Sequence, residues 1–181
     1  MEKKRTLPLD EKIRILSRII LDIVEKDNLK RASRIKLTRN QFLILRILYR
    51  AELDKIGDLA DVLNISKPAV SKNIHFLVQK RLIKREEIEG NRRSLGVSLL
   101  QKGRDIVERY LSTSEKKIKS VLEGFSDDER ESLNRLLDKY ICLTLEQERD
   151  FSLFCLQCGG EYEGECPISE HRLGCYFQIK Q

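Results

Sequence analysis

Between residues 83 and 99 the hydrophobic pattern changes period once, and this change constrains the fold of the 181-residue chain more than any other feature. On either side of it, apolar residues recur at i, i+3 and i+4, the spacing of amphipathic helices. Within it, residues 94–99 (Ser-Leu-Gly-Val-Ser-Leu) alternate polar and apolar with period two, and residues 83–88 form a second short candidate strand. Glu89, Gly90 and Asn91 supply turn chemistry between them, so the segment predicts a β-hairpin. One hairpin set among helices defines a mainly α chain. Three prolines and nine glycines are too few for an all-β fold rich in turns.

The helical segments have readable boundaries. Residues 10–29 carry Ile13, Leu16, Ile20, Ile23 and Val24 at helical spacing, with Asp10 as the expected N-cap. A basic linker, 30–36, follows. Thr38 is placed to cap a helix over 39–50 that turns Phe42, Leu45, Ile47 and Leu48 inward. A short helix is predicted over 55–63. Ser66 caps the next, 67–80, with Pro68 in its first turn, where a missing N–H costs little. After the hairpin comes a long helix, 101–124, interrupted at Gly124 and Phe125. Ser126-Asp-Asp-Glu129 fits a capping box for a last helix, 127–149, lined by Leu133, Leu136, Leu137, Tyr140, Ile141 and Leu145. Residues 150–181 have no sustained period.

Charge divides the chain. Residues 146–181 hold seven acids and three bases, a net of −4, so the +6 of the whole leaves +10 on the first 145 residues. A basic body suits a polyanion, because Lys and Arg that neutralise phosphates release condensed counterions. No stretch reaches the roughly 20 apolar residues that cross a bilayer. The charged start is not followed by an apolar run of secretory type, so no membrane partner and a cytoplasmic location are expected. In a reducing compartment, five cysteines raise a metal or redox question before a disulfide one.

Residues 56–77 have the spacing of a helix-turn-helix. Leu59, Ala60, Leu63, Ile65, Val70, Ile74 and Leu77 form the shared interior, and Asn64 and Ile65 the turn. Lys67, Ser71, Lys72 and His75 then face outward on the second helix, where they can donate to phosphates and base edges in a major groove. The hairpin tip bears Arg92 and Arg93, and arginine on such a tip can enter a narrow minor groove.

From about Asp10 to Glu148 the chain resembles the MarR family of winged-helix regulators. The resemblance is carried by Leu37-Thr-Arg-Asn-Gln-Phe-Leu-Ile-Leu45, Ile56-Gly-Asp-Leu-Ala-Asp-Val-Leu63, Ile65-Ser-Lys-Pro-Ala-Val-Ser-Lys72 and, most specifically, Asn91-Arg-Arg-Ser-Leu-Gly-Val-Ser-Leu-Leu-Gln-Lys-Gly103. It implies a winged helix-turn-helix that works as a homodimer on double-stranded DNA. Ser66, Lys67, Pro68, Ser71 and Lys72 would lie on the recognition helix and Arg92 and Arg93 on the wing. The implied layout is a winged-helix domain over 10–149, with its DNA-binding part at 37–100 and dimerisation helices at 10–29 and 101–149. One departure stands out: Asn91 replaces the acid that usually precedes the paired arginines. The apolar stripes on 10–29, 101–124 and 127–149 call for a dimer independently, because one small winged domain cannot bury them all.

Residues 150–181 are expected to form a cysteine-rich, metal-binding tail. Cys155, Cys158, Cys166 and Cys175 follow a Cys-x2-Cys-x7-Cys-x8-Cys spacing, with two glycines directly after the first pair. Four thiolates suit a zinc ion or an iron–sulfur cluster, and the sequence favours neither. His171 reads as a bystander, and Cys142, flanked by Ile141 and Leu143, as a core or interface residue.

The reading is a sequence-specific transcriptional regulator, expected to be a repressor, that answers a small-molecule, metal or redox signal. An RNA-binding winged helix and a metal or electron-transfer protein are the alternatives. No nucleophile–base pair, phosphate-cradling loop or paired catalytic carboxylates point to an enzyme.

Overall fold

The computed structural model describes residues 7–50, 53, 55–88 and 91–146, with backbone alone for 87, 88 and 91–95. Helix α1 (Leu9–Arg18) opens the chain and continues through a π-helical segment (Ile19–Glu25) into α2 (Lys26–Ala32). Next come α3 (Arg39–Arg50), α4 (Ile56–Leu63), α5 (Lys67–Gln79), the hairpin β1 (Ile83–Ile88) and β2 (Asn91–Leu99), α6 (Gln101–Leu122) and α7 (Asp127–Leu145). The fold is mainly helical with a two-stranded wing.

The expected first helix, 10–29, is corrected in three respects. It runs on to Ala32, and its middle is wound as a π-helix. Asp10 is not its cap: Pro8 holds that position, and Asp10 lies inside the first turn, where its carboxylate accepts from Arg14 at 2.9 Å. Proline fits the helix entry because it has no N–H to leave unpaired.

The core gathers between α3, α4, α5, β1 and α6. Ile44, Leu45, Leu59, Val70, Ile74, Leu77, Leu82 and Val107 have no measurable exposure. α3 starts on a reciprocal cap: the Thr38 hydroxyl accepts from the Gln41 N–H at 3.3 Å, and the Gln41 carboxamide accepts from the Thr38 N–H at 2.9 Å. Phe42 packs its ring 4.3 Å from that of Tyr110, joining α3 to α6. Burial pushes the Tyr110 phenol above its ordinary pKa, with the nearby Glu25 carboxylate adding to the effect.

α2 is bonded to the rest on two sides. Arg109 Nε on α6 donates to the Ala32 carbonyl at 3.0 Å, and Lys117 Nζ reaches the Asp27 carboxylate at 3.3 Å. Arg39, at the start of α3, meets Glu25 at 3.4 Å. Between these contacts Asn28 is fully buried, and its amide N and O find no partner among the described residues.

α7 begins on a complete capping box: Ser126 Oγ accepts from the Glu129 N–H at 3.3 Å, and Glu129 Oε2 accepts from the Ser126 N–H at 2.9 Å. Despite this start, α7 has no extended packing partner among the described elements, and neither has α1 beyond its own continuation. Ile15, Leu16, Ile19, Ile20 and Ile23 on the first helix stand exposed, as do Leu136, Leu137, Tyr140 and Leu143 on α7. Cys142 is half-buried in α7. Among the described residues no helix is long and apolar enough to cross a membrane.

Candidate nucleic-acid interface

α4 and α5 are joined by a turn that works because Asn64 adopts the left-handed region, φ 50° and ψ 47°, which asparagine enters more readily than most residues. The Ile65 N–H then donates back to Ala60 O at 3.1 Å and closes the α4 C-terminus. Ser66 starts α5 as expected, its hydroxyl accepting from the Ala69 N–H at 3.4 Å, with Pro68 in the first turn. The Ser66 side chain thus has a structural task before any contact with a ligand.

Val70, Ile74 and Leu77 pin one face of α5 into the core. At about 100° per residue, the opposite face is centred on Lys72 and carries Pro68 and His75. All three are exposed, as are Ser66 and Lys67, while Ser71 lies half-buried at the flank. Pro68, Lys72 and His75 therefore share one accessible face, with Ser66 and Lys67 exposed at its N-terminal end.

Gln79 also lies on this face and was missed. It stands seven residues after Lys72, within about 20° of it around the helix. Its side-chain Nε2 lies 2.9 Å from His75 Nε2. The i, i+4 spacing from His75 was the available signal. Gln79 escaped notice because it ends the helix and carries no charge.

β1 and β2 pair antiparallel with Ile83 opposite Leu99 and Glu87 opposite Leu95, and the register shifts between Glu87 and Ile88. Lys55 bridges Gly96, which ties the segment before α4 to the hairpin. At the wing base, Glu86 pairs with Lys84 and accepts from Ser98 Oγ at 2.7 Å. The hydrogen bond from Lys84, then that from Ser98, holds the Glu86 carboxyl below its ordinary pKa. Arg92 and Arg93 fall on β2 next to the hairpin turn, and their side chains lie outside the described residues. Cys155, Cys158, Cys166 and Cys175, and the whole 150–181 tail, lie outside them as well.

A helix pair closed by a tight turn, an outward polar face on its second helix and a hairpin directly after it define a winged helix-turn-helix. Comparison with known proteins narrows this class. Residues 35–94 match the MarR family. The transcriptional regulator MgrA of Staphylococcus aureus is 33% identical over 105 residues, 58% of this chain and 70% of its own length. The transcriptional repressor YetL of Bacillus subtilis is 24% identical over 103 residues, 56% of this chain and 62% of its own length. A mutant of S. aureus MepR, solved bound to an oligodeoxyribonucleotide, shares the fold with a TM-score of 0.59 at 21% identity, covering 75% of this chain and 97% of that one. The chain belongs to the MarR family of DNA-binding transcription regulators.

Proposed function

We propose that the chain is a homodimeric repressor that binds a pseudo-palindromic operator in double-stranded DNA. The observation that carries this reading is the outer face of α5, where Lys72 and His75 stand clear of the core that fixes the helix, with Lys67 exposed in its first turn. Lysine neutralises phosphate, and histidine can donate to a base edge or a phosphate. Each subunit lays α5 in a major groove and brings Arg92 and Arg93 to the neighbouring minor groove. The DNA-binding part is 37–100. The dimer is formed by the first helix, 10–29, together with 101–149. The uncovered apolar stripes of α1 and α7 support the assembly, because a second copy removes both from water at once. A dimer of this kind reads half-sites about one helical turn apart, and an operator so occupied is closed to other proteins. A chromosomal partner places the chain in the cytoplasm.

The signal enters through elements that join the two parts. The π-helical segment is bonded to α3 through Glu25–Arg39, and α2 to α6 through Ala32–Arg109 and Asp27–Lys117. A small molecule, metal or redox change that favours one arrangement of these helices alters the separation of the two α5 helices, and affinity follows. The 150–181 tail comes a few residues after α7 in the sequence. Its four cysteines supply a thiolate set for a zinc ion or an iron–sulfur cluster. Such a group would hold together a segment too short to fold on apolar burial alone.

Sedimentation of the full chain, and its binding to duplex DNA selected from a random pool, test the proposal. The expected result is a dimer that prefers a two-fold symmetric duplex and that Lys72→Ala weakens. A monomer, or equal binding by the parent and Lys72→Ala, contradicts the docking.

A further inference from the structure

We infer that Gln79 is a positioning residue that fixes the proton of His75 and so makes His75 a base-reading donor. The inference rests on α5 being the DNA-reading helix. The Gln79 amide nitrogen lies 2.9 Å from His75 Nε2, and an amide NH2 can only donate. With the amide in this orientation His75 Nε2 accepts, and the neutral ring then carries its hydrogen on Nδ1. Among the described residues nothing accepts from Nδ1. His75 is exposed on the outer face of α5, so its ring keeps one committed donor, Nδ1–H, for a partner there, and the major groove offers guanine O6 and N7, adenine N7 and thymine O4 as acceptors.

Position supports an indirect role for Gln79. Recognition helices contact bases mainly through their N-terminal residues, and Gln79 is the last residue of α5. His75 lies one turn nearer the groove-facing start. In free solution water competes with the exposed Gln79–His75 bond. Docking excludes that water and strengthens the bond when the donor is needed.

Nitrogen NMR of the His75 ring in the full chain, in mildly alkaline solution, tests the first step; His171, the other histidine, is identified by comparison with His75→Ala. The expected spectrum has Nδ1 protonated and Nε2 bare, and Gln79→Met returns the ring to the Nε2–H form. Ring nitrogens unchanged by Gln79→Met overturn the inference. The second arm measures affinity for single base-pair variants of the duplex selected by the parent chain. Gln79→Met and His75→Ala should relax preference at the same base pair, by about fivefold, the worth of one hydrogen bond. The double variant should be no worse than His75→Ala alone. Additive losses, or a uniform loss on every duplex, overturn the inference. If Lys72→Ala weakens binding while Gln79→Met leaves base preference intact, DNA docking stands and this inference fails. If Lys72→Ala changes nothing, the docking itself fails, and the ring spectra still decide the tautomer.

Discussion

The backbone of Gly103, in the first turn of α6, lies against the Leu82 carbonyl so closely that no Cβ fits between them. That carbonyl cannot yield, because it accepts from the Leu100 N–H at 3.0 Å. A methyl at position 103 would also meet Leu99 Cδ1 at 2.8 Å. Gly103→Ala is therefore expected to push α6 away from the wing base and to cost about 1–3 kcal/mol, the range for overpacking. Urea unfolding measures it; a variant as stable as the parent would show that α6 can shift freely.

The capping box at Ser126 gives a milder case. Ser126→Ala removes the acceptor for the Glu129 N–H and should cost about 1 kcal/mol. Glu129→Gln keeps an acceptor for the Ser126 N–H and should lose less. Equal losses in thermal unfolding would mean that charge at the N-terminus of α7, and not the reciprocal bonds, sets its stability.

Acid sensitivity should centre on Asp27. Hydrogen bonds from Arg31, first, and from Lys117 hold its carboxyl below the ordinary aspartate value. The folded chain then binds fewer protons there than the unfolded chain does. The stability it contributes is complete above the unfolded value, about 3.9, and is lost as pH falls through the lowered folded value. Asp27→Asn should be less stable near neutrality and should narrow the difference in Tm between about pH 6 and pH 3. An undiminished difference would assign the acid limb to other carboxylates, such as Asp22, which Lys26 holds low in the same way.

The paired wing arginines should act chiefly through their charge, at the minor groove and its flanking phosphates. Arg93→Ala is expected to weaken binding to all duplexes alike and to lower the slope of log affinity against log salt by about one. A changed base preference with an unchanged slope would move Arg93 from phosphate to base edge.

Metal content should follow the tail cysteines. An anaerobic preparation assayed for iron, sulfide and zinc is expected to hold one zinc site or one cluster per chain, and Cys158→Ser to lose it. Duplex affinity measured with and without the metal then separates a sensor from a structural site. Full metal retention in Cys158→Ser would remove that residue from the ligand set.

Much of this was legible in the order of residues. The change of period at residue 83 fixed where helices give way to the wing, since a period of two cannot lie on one helix face. Thr38, Ser66 and Ser126 announced their helices because capping is local: a hydroxyl reaches an N–H three residues on, whatever the rest of the chain does. The outer face of α5 followed from Val70, Ile74 and Leu77. Asp10 misled, since a capping residue type two positions inside the helix looks the same in sequence as one at its boundary.

Other features required the third dimension. The π-winding of Ile19–Glu25 leaves no mark on composition, and a buried amide at Asn28 contradicts the polarity on which pattern reading relies. Glycine at position 103 is visible in sequence, but the Leu82 carbonyl that demands it arrives from the turn between α5 and β1, 21 residues away. Local spacing determined most of the elements and caps and the outward face of α5, because those depend on bonds within a turn or two. Only packing decided which carbonyl, ring or carboxylate each face would meet, because those neighbours are set by how distant segments close on one another.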